Sequence, residues 1–183
     1  MTGFLHQFLI EKGAQYLLWK GCHIVITEML CFPEDGIVEI PDIMGFSYRT
    51  SILIEAKTSI QDLKRDKEKV HRRLKGIGEF RYYLIQENLI QQNAEKFIPE
   101  GWGLLYLDNR GSIEEKLHSR HFETDWRRER HFLISALRRL NINQTRNVFI
   151  KRVASMAEKT RIILRDEEEE DYGCEGTIYS NEL

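Results

Sequence analysis

Hydrophobic positions recur first with a helical period. Across residues 4–20, Phe8, Leu9, Ala14, Tyr16, Leu17 and Leu18 fall at roughly helical spacing, and Gly21 supplies a stop. The spacing predicts an opening helix. The pattern then shortens: residues 23–30 are rich in β-branched side chains, 36–46 alternate around Val38, Ile40 and Ile43, and 50–58 complete three predicted strands. Turns are expected at 33–36, where the sequence is Pro-Glu-Asp-Gly, and at 45–49. Ser59 is placed to cap a highly charged helix running to about Lys75, with Asp62 near the positive end of its dipole. After the break at Gly76 and Gly78, residues 80–85 and 103–107 predict two more strands. Residues 124–140 predict an amphipathic helix with Trp126, Leu133, Leu137 and Leu140 on one stripe. Residues 143–164 fit either a further helix, through Phe149, Val153, Met156 and Ile163, or a strand over 147–153. No internal repeat is present.

Helix, three strands, helix, strand, connection and strand is the order of a mixed sheet flanked by helices, hence an α/β fold. A chain of 183 residues with 42% hydrophobic content has room for one such core and a helical extension. Its N-terminus lacks the basic and then apolar stretch of a secretory signal, and no apolar run approaches the roughly 20 residues of a membrane span. A cytoplasmic, membrane-free protein is expected. Cys22, Cys31 and Cys174 form no CxxC or CxxH pair, which argues against a zinc site or a disulfide framework. The six histidines show no HxH or HExxH spacing, against a histidine-metal nuclease or metalloprotease.

Charge changes this picture through its distribution. The net charge of −2 includes six consecutive carboxylates at 166–171, and the rest of the chain carries +4. Residues 57–75 hold eight Lys or Arg against three Asp or Glu, and Arg127, Arg128, Arg130, Arg138 and Arg139 form a second basic segment. Such patches attract a polyanion, and equally serve as the solvated faces of two helices. The acidic block and the polar residues after it read as a flexible tail able to compete for the basic surface.

The candidate chemistry lies in residues 39–46, Glu-Ile-Pro-Asp-Ile-Met-Gly-Phe, and 52–59, Ile-Leu-Ile-Glu-Ala-Lys-Thr-Ser. On a strand, side chains two apart share a face, so Glu55 and Lys57 emerge together while Ile52, Ile54 and Ala56 point the other way. Pairing through the turn at 47–49 brings Asp42 beside Glu55. Two converging carboxylates repel unless a cation lies between them, and oxygen ligands suit Mg²⁺, for which Mn²⁺ can substitute. Such a metal stabilises charge on a phosphodiester and lowers the pKa of a bound water, with Lys57 as a positioned cation.

Pro41-Asp42, twelve intervening residues and Glu55-Ala56-Lys57 resemble the signature of the PD-(D/E)xK nuclease superfamily. The family's core has the same element order, with the Asp on the second strand and the ExK on the third. The likeness to small bacterial and phage members continues through Thr58, Ser59, Asp62, Asp66 and Lys67, then 81–84 and 101–105, and covers residues 3–110. It implies a restriction-endonuclease-like mixed sheet of order αβββαβ over 3–120. Residues 121–165 would then be a mainly helical extension, and 166–183 the acidic tail. It also implies metal-dependent phosphodiester hydrolysis, on DNA rather than RNA. Asp42, Glu55 and Lys57 would be catalytic, and Glu11 on the first helix a further metal ligand beside Asp42 and Glu55.

Simpler readings stand beside these. Asp42, Glu55 and Lys57 could form a surface salt bridge, which is usually worth little. Glu11 needs no role beyond a helix surface, and Glu39 faces away from Asp42 if its strand is regular. Asp62, Asp66 and Lys67 are expected on a solvated helix face, with Lys64, Arg65 and Lys69 available to phosphates. Tyr82 and Tyr83 should divide between core and exterior, the outer ring being free to stack on a base. Trp102 and Trp126 are expected in the core. A nuclease-fold binding or scaffolding subunit and an RNA-directed enzyme are the alternatives, and a homodimer or protein partner is compatible with either.

Overall fold

The computed structural model describes residues 2–29, 40–67, 76–139 and 161–164. The chain begins with α1 (Thr2–Trp19), followed by β1 (Ile24–Thr27), β2 (Ile43–Phe46) and β3 (Ser51–Ala56). Next come α2 (Ile60–Lys67), β4 (Phe80–Gln86), a short α3 (Glu87–Ile90) and a 3-10 turn (Ala94–Phe97). Strands β5 (Gly103–Leu107) and β6 (Ile113–Leu117), helix α4 (Trp126–Leu137) and β7 (Arg161–Leu164) complete the described elements.

The seven strands among the described residues form one sheet in the order β6-β5-β4-β3-β2-β1-β7. The pairs β3–β4 and β4–β5 are parallel and the other four antiparallel, so the fold is a mixed α/β sheet. Its two faces carry separate cores. On one face α1 buries Leu9, Ile10, Ala14 and Leu17 against Val25, Ile43, Ile54 and Leu84. Each fully buried Leu or Ile contributes roughly 1.5–3 kcal/mol relative to exposure. A glycine in mid-helix allows this approach, since a Cβ on Gly13 would lie 2.3 Å from Ile43 Cδ1. On the other face Leu63 of α2, Leu89 of α3, Trp102, and Phe132 and Ala136 of α4 cover Met44, Leu53, Tyr83 and Leu104.

The predicted strands are present but shorter at their ends. Strand β1 stops at Thr27: Glu28 takes a left-handed backbone, φ 49°, though its N–H still donates to the Asp42 carbonyl at 3.0 Å, in register with the β1–β2 pairing. Asp42 precedes β2 instead of lying within it, after a proline that has no N–H to give a ladder. Strand β6 was not predicted. Its sequence, Ile-Glu-Glu-Lys-Leu, leaves the middle three residues exposed and so carries no alternating signal.

Other expectations need correction. Tyr82 and Tyr83 do alternate, but both are buried, because β4 is central and helices cover both faces; neither ring is presented for stacking. The inward stripe of α4 is Phe132 and Ala136, with Leu133 half-buried, whereas Trp126 is 58% and Leu137 45% exposed. Trp126 lies under Arg130, 4.9 Å from its ring centroid, in place of the core position expected for it. Trp102 is buried, stacked on Tyr83 at 4.9 Å. Within the expected helical extension, Arg161–Leu164 is a strand that pairs antiparallel with β1. The possible strand at 147–153, the tail at 166–183, Glu39 and Lys69 lie outside the described residues. No helix among those described is long and apolar enough to cross a membrane.

Candidate active site

The site lies where the parallel strands end, the position at which open α/β sheets commonly bind ligands. Lys57 extends the ladder one residue past β3, its N–H donating to the Leu84 carbonyl at 2.9 Å. Ser59 then caps α2, its hydroxyl accepting the Asp62 N–H at 3.2 Å as the sequence predicts. Strands β2 and β3 pair Ile43 with Ile54, a register that, continued by one residue, sets Asp42 opposite Glu55. The Asp42 carboxylate fastens onto β3 directly, with Oδ2 accepting the Ala56 N–H at 2.9 Å.

Glu55 and Lys57 share one face, as strand alternation requires, but they are not a surface pair. They are 3% and 5% exposed, and charges so buried need partners. Lys57 Nζ lies 3.3 Å from Glu55 Oε2 and also 3.3 Å from Asp66 Oδ1. The Tyr83 hydroxyl donates to Asp66 Oδ2 at 2.6 Å, and the Lys57 ammonium stands 5.7 Å from the Tyr83 ring centroid. Asp66 was expected on a solvated face and is only 1% exposed. Ile60, Leu63 and Asp66 follow at i, i+3 and i+6, the spacing of one inward face, and that was the signal available for it.

Helix α1 contributes an unexpected residue. His6 Nε2 lies 3.4 Å from Asp42 Oδ2. The hydrogen bond to Asp42 raises the His6 pKa above its ordinary 6.5, against the opposing effect of burial. Glu11, the predicted ligand on this helix, is exposed, and it is His6 that α1 brings to Asp42. His6 and Gly3 also border an open cleft of about 480 Å³ whose other wall is Thr58, Ser59, Gln61, Asp62 and Arg65. Arg65 is exposed beside this cleft, whereas Lys64 Nζ sits over the Phe97 ring at 4.7 Å.

Among the described residues no group of three or more His, Cys, Asp or Glu is arranged to hold a metal ion. The two carboxylates that the β2–β3 register sets opposite each other at the end of β3 are Asp42 and Glu55. That number fits Mg²⁺, which takes one or two carboxylates and completes its shell with water and phosphate oxygens. It does not fit structural zinc, which takes four Cys, His or carboxylate ligands. Oδ1 of Asp42 takes part in neither the Ala56 nor the His6 contact.

No family model and no curated protein matches the chain. Among solved structures it is similar to the SPO1766 protein of unknown function from Silicibacter pomeroyi, at 21% identity and a TM-score of 0.55. The match covers 73% of this chain and 87% of that one, a likeness of fold.

Proposed function

We propose that the chain is a divalent-metal-dependent phosphodiesterase of the PD-(D/E)xK type, with a restriction-endonuclease-like core, acting on nucleic acid. The observation that carries this reading is the β2–β3 register, which puts Asp42 opposite Glu55 with Lys57 two residues further on the same face. Asp42 and Glu55 would hold Mg²⁺, which when bound supplies charge stabilisation and a more acidic water. Lys57 stands beside Glu55 and stabilises charge developing on the phosphate. Arg65, exposed at the neighbouring cleft, would meet the phosphate backbone of the nucleic acid. DNA is chosen over RNA on the family resemblance alone.

The test is incubation of the purified chain with supercoiled, linear, nicked, branched and single-stranded DNA, and with RNA, under Mg²⁺, Mn²⁺ or EDTA. Metal-dependent, EDTA-sensitive cleavage is expected, and its absence on every substrate would refute the proposal. One observation favours a second reading, a nuclease-fold binding or scaffolding subunit. Lys57 already lies between two buried carboxylates, an arrangement that neutralises charge without a metal. Retention of nucleic acid in the same assays without cleavage would support it.

A further inference from the structure

Asp42 is held by two donors that reach it from different elements and meet the same oxygen. The Ala56 N–H is a backbone donor at the end of β3; the other donor is the His6 ring of α1. His6 lies one turn ahead of Leu9 and Ile10, so it continues the inward face of α1 past its last apolar residue. It thereby arrives over the strand ends, where a leucine at that place would meet a polar cleft. Its side chain is 32% exposed, lines that cleft opposite Arg65, and contacts Asp42 at 3.4 Å. With its proton on Nε2 the ring donates to Oδ2, and together with Ala56 it fixes the rotation of the carboxylate.

We infer that His6 is a positioning residue: it orients Asp42 so that Oδ1 faces the ligand held between Asp42 and Glu55, at the edge of the cleft shared with Arg65. The inference rests on the metal-dependent reading of the site and adds to it a residue outside the PD-(D/E)xK string. A carboxylate that must turn to meet a cation binds it more weakly, because ordering the side chain then costs part of the binding free energy. Hydrogen-bonding partners of ligating carboxylates typically change metal affinity or activity by about 10–100-fold when removed.

The test uses the full chain with His6→Ala, His6→Phe, which keeps a ring but no donor, and His6→Gln, which returns an N–H donor at similar reach. Mn²⁺ alone is titrated by electron paramagnetic resonance, and cleavage is followed separately for kcat and KM. Loss of the donor should weaken Mn²⁺ binding and lower kcat by about tenfold or more, leave the KM for DNA within about twofold, and be largely reversed in His6→Gln. Thermal melting identifies the folded variants. Parent-like Mn²⁺ affinity and kcat in folded His6→Phe or His6→Ala, or a His6→Gln as impaired as His6→Phe, would overturn the role of His6 while leaving the proposed function standing. A parent chain that neither binds Mn²⁺ nor cleaves would overturn both.

Discussion

Lys57 and Asp66, one just past the end of β3 and the other on the inward face of α2, meet at 3.3 Å with side chains 6% and 1% exposed. Removing one partner from a buried pair typically costs about 3–5 kcal/mol, and about 3 kcal/mol is expected here because Lys57 keeps Glu55 at 3.3 Å. Asp66→Ala should therefore lower unfolding free energy by about that amount in urea titration. Asp66→Asn should cost less, because its amide oxygen can still accept from the Tyr83 hydroxyl. A loss below about 0.5 kcal/mol in Asp66→Ala would show that the pair is solvated in solution.

Asp42→Ala, Glu55→Gln and Lys57→Ala should each reduce cleavage by about 100-fold or more, the scale of losing one charge-stabilising group from an active site. Lys57→Ala also leaves Glu55 and Asp66 buried without their shared cation, so its activity must be expressed per folded molecule. Parent-like turnover in any folded single variant would remove that residue from the catalytic set. Glu11→Gln should leave a Mg²⁺ titration of activity unchanged, because Glu11 is exposed and His6 meets Asp42 from the same helix. A shifted metal optimum would return Glu11 to the site.

Helix α4 is docked through Glu129, whose Oε1 accepts from Ser51 Oγ, Gly78 N and Thr124 Oγ1, each at 2.7 Å. Glu129→Ala should destabilise the protein by about 2–3 kcal/mol, the upper range for hydrogen bonds to a charged group. Amide exchange at Gly78 should accelerate with it. Protection of that amide equal to the parent's would place the anchor of α4 elsewhere, at the contact between Phe132 and Phe46, whose ring centroids are 6.3 Å apart.

Burial pushes the Cys22 thiol from 9.0 up to about 11. Between those values the unfolded chain releases the proton while the folded chain keeps it. The stabilisation linked to this thiol is therefore complete below pH 9 and declines as pH rises toward 11. Parent and Cys22→Ala, compared by urea unfolding, should differ most at pH 8, with the gap narrowing by about 1–2 kcal/mol at pH 10.5. A constant gap would mean that Cys22 ionises as readily in the folded protein as in the unfolded chain.

The elements whose sequence pattern is also their burial pattern were legible. Strand β5 was predicted at residues 103–107, the bounds it has, and β3 divides its side chains as alternation requires, with Ile54 and Ala56 under α1 and Glu55 opposite. The approach of Asp42 to β3 followed from the turn between the strands. What could not be read were contacts made by polar residues across elements. His6 has no apolar signal and no local partner, and its role depends on how far α1 extends over the sheet. Asp66 looked solvated because α2 is dominated by charge, and its inward direction is set by Leu63 packing. In α4 the stripe through Trp126, Leu133, Leu137 and Leu140 leaves out Phe132 and Ala136, the two residues that the sheet buries.

The pairing of β7 with β1 reaches beyond the few residues it involves. Ile24 to Thr27 would otherwise form the sheet's outer margin, with a row of backbone N–H and C=O groups open to solvent. Unprotected margins of that kind are templates on which another chain can add a strand. Residues 161–164 occupy that row, so a chain cut after Arg139 would keep α4 and the candidate site but present a bare apolar strand, Ile-Val-Ile-Thr. Self-association of the shortened protein at high concentration is expected, and light scattering beside the activity assay would separate aggregation from the loss of a catalytic residue.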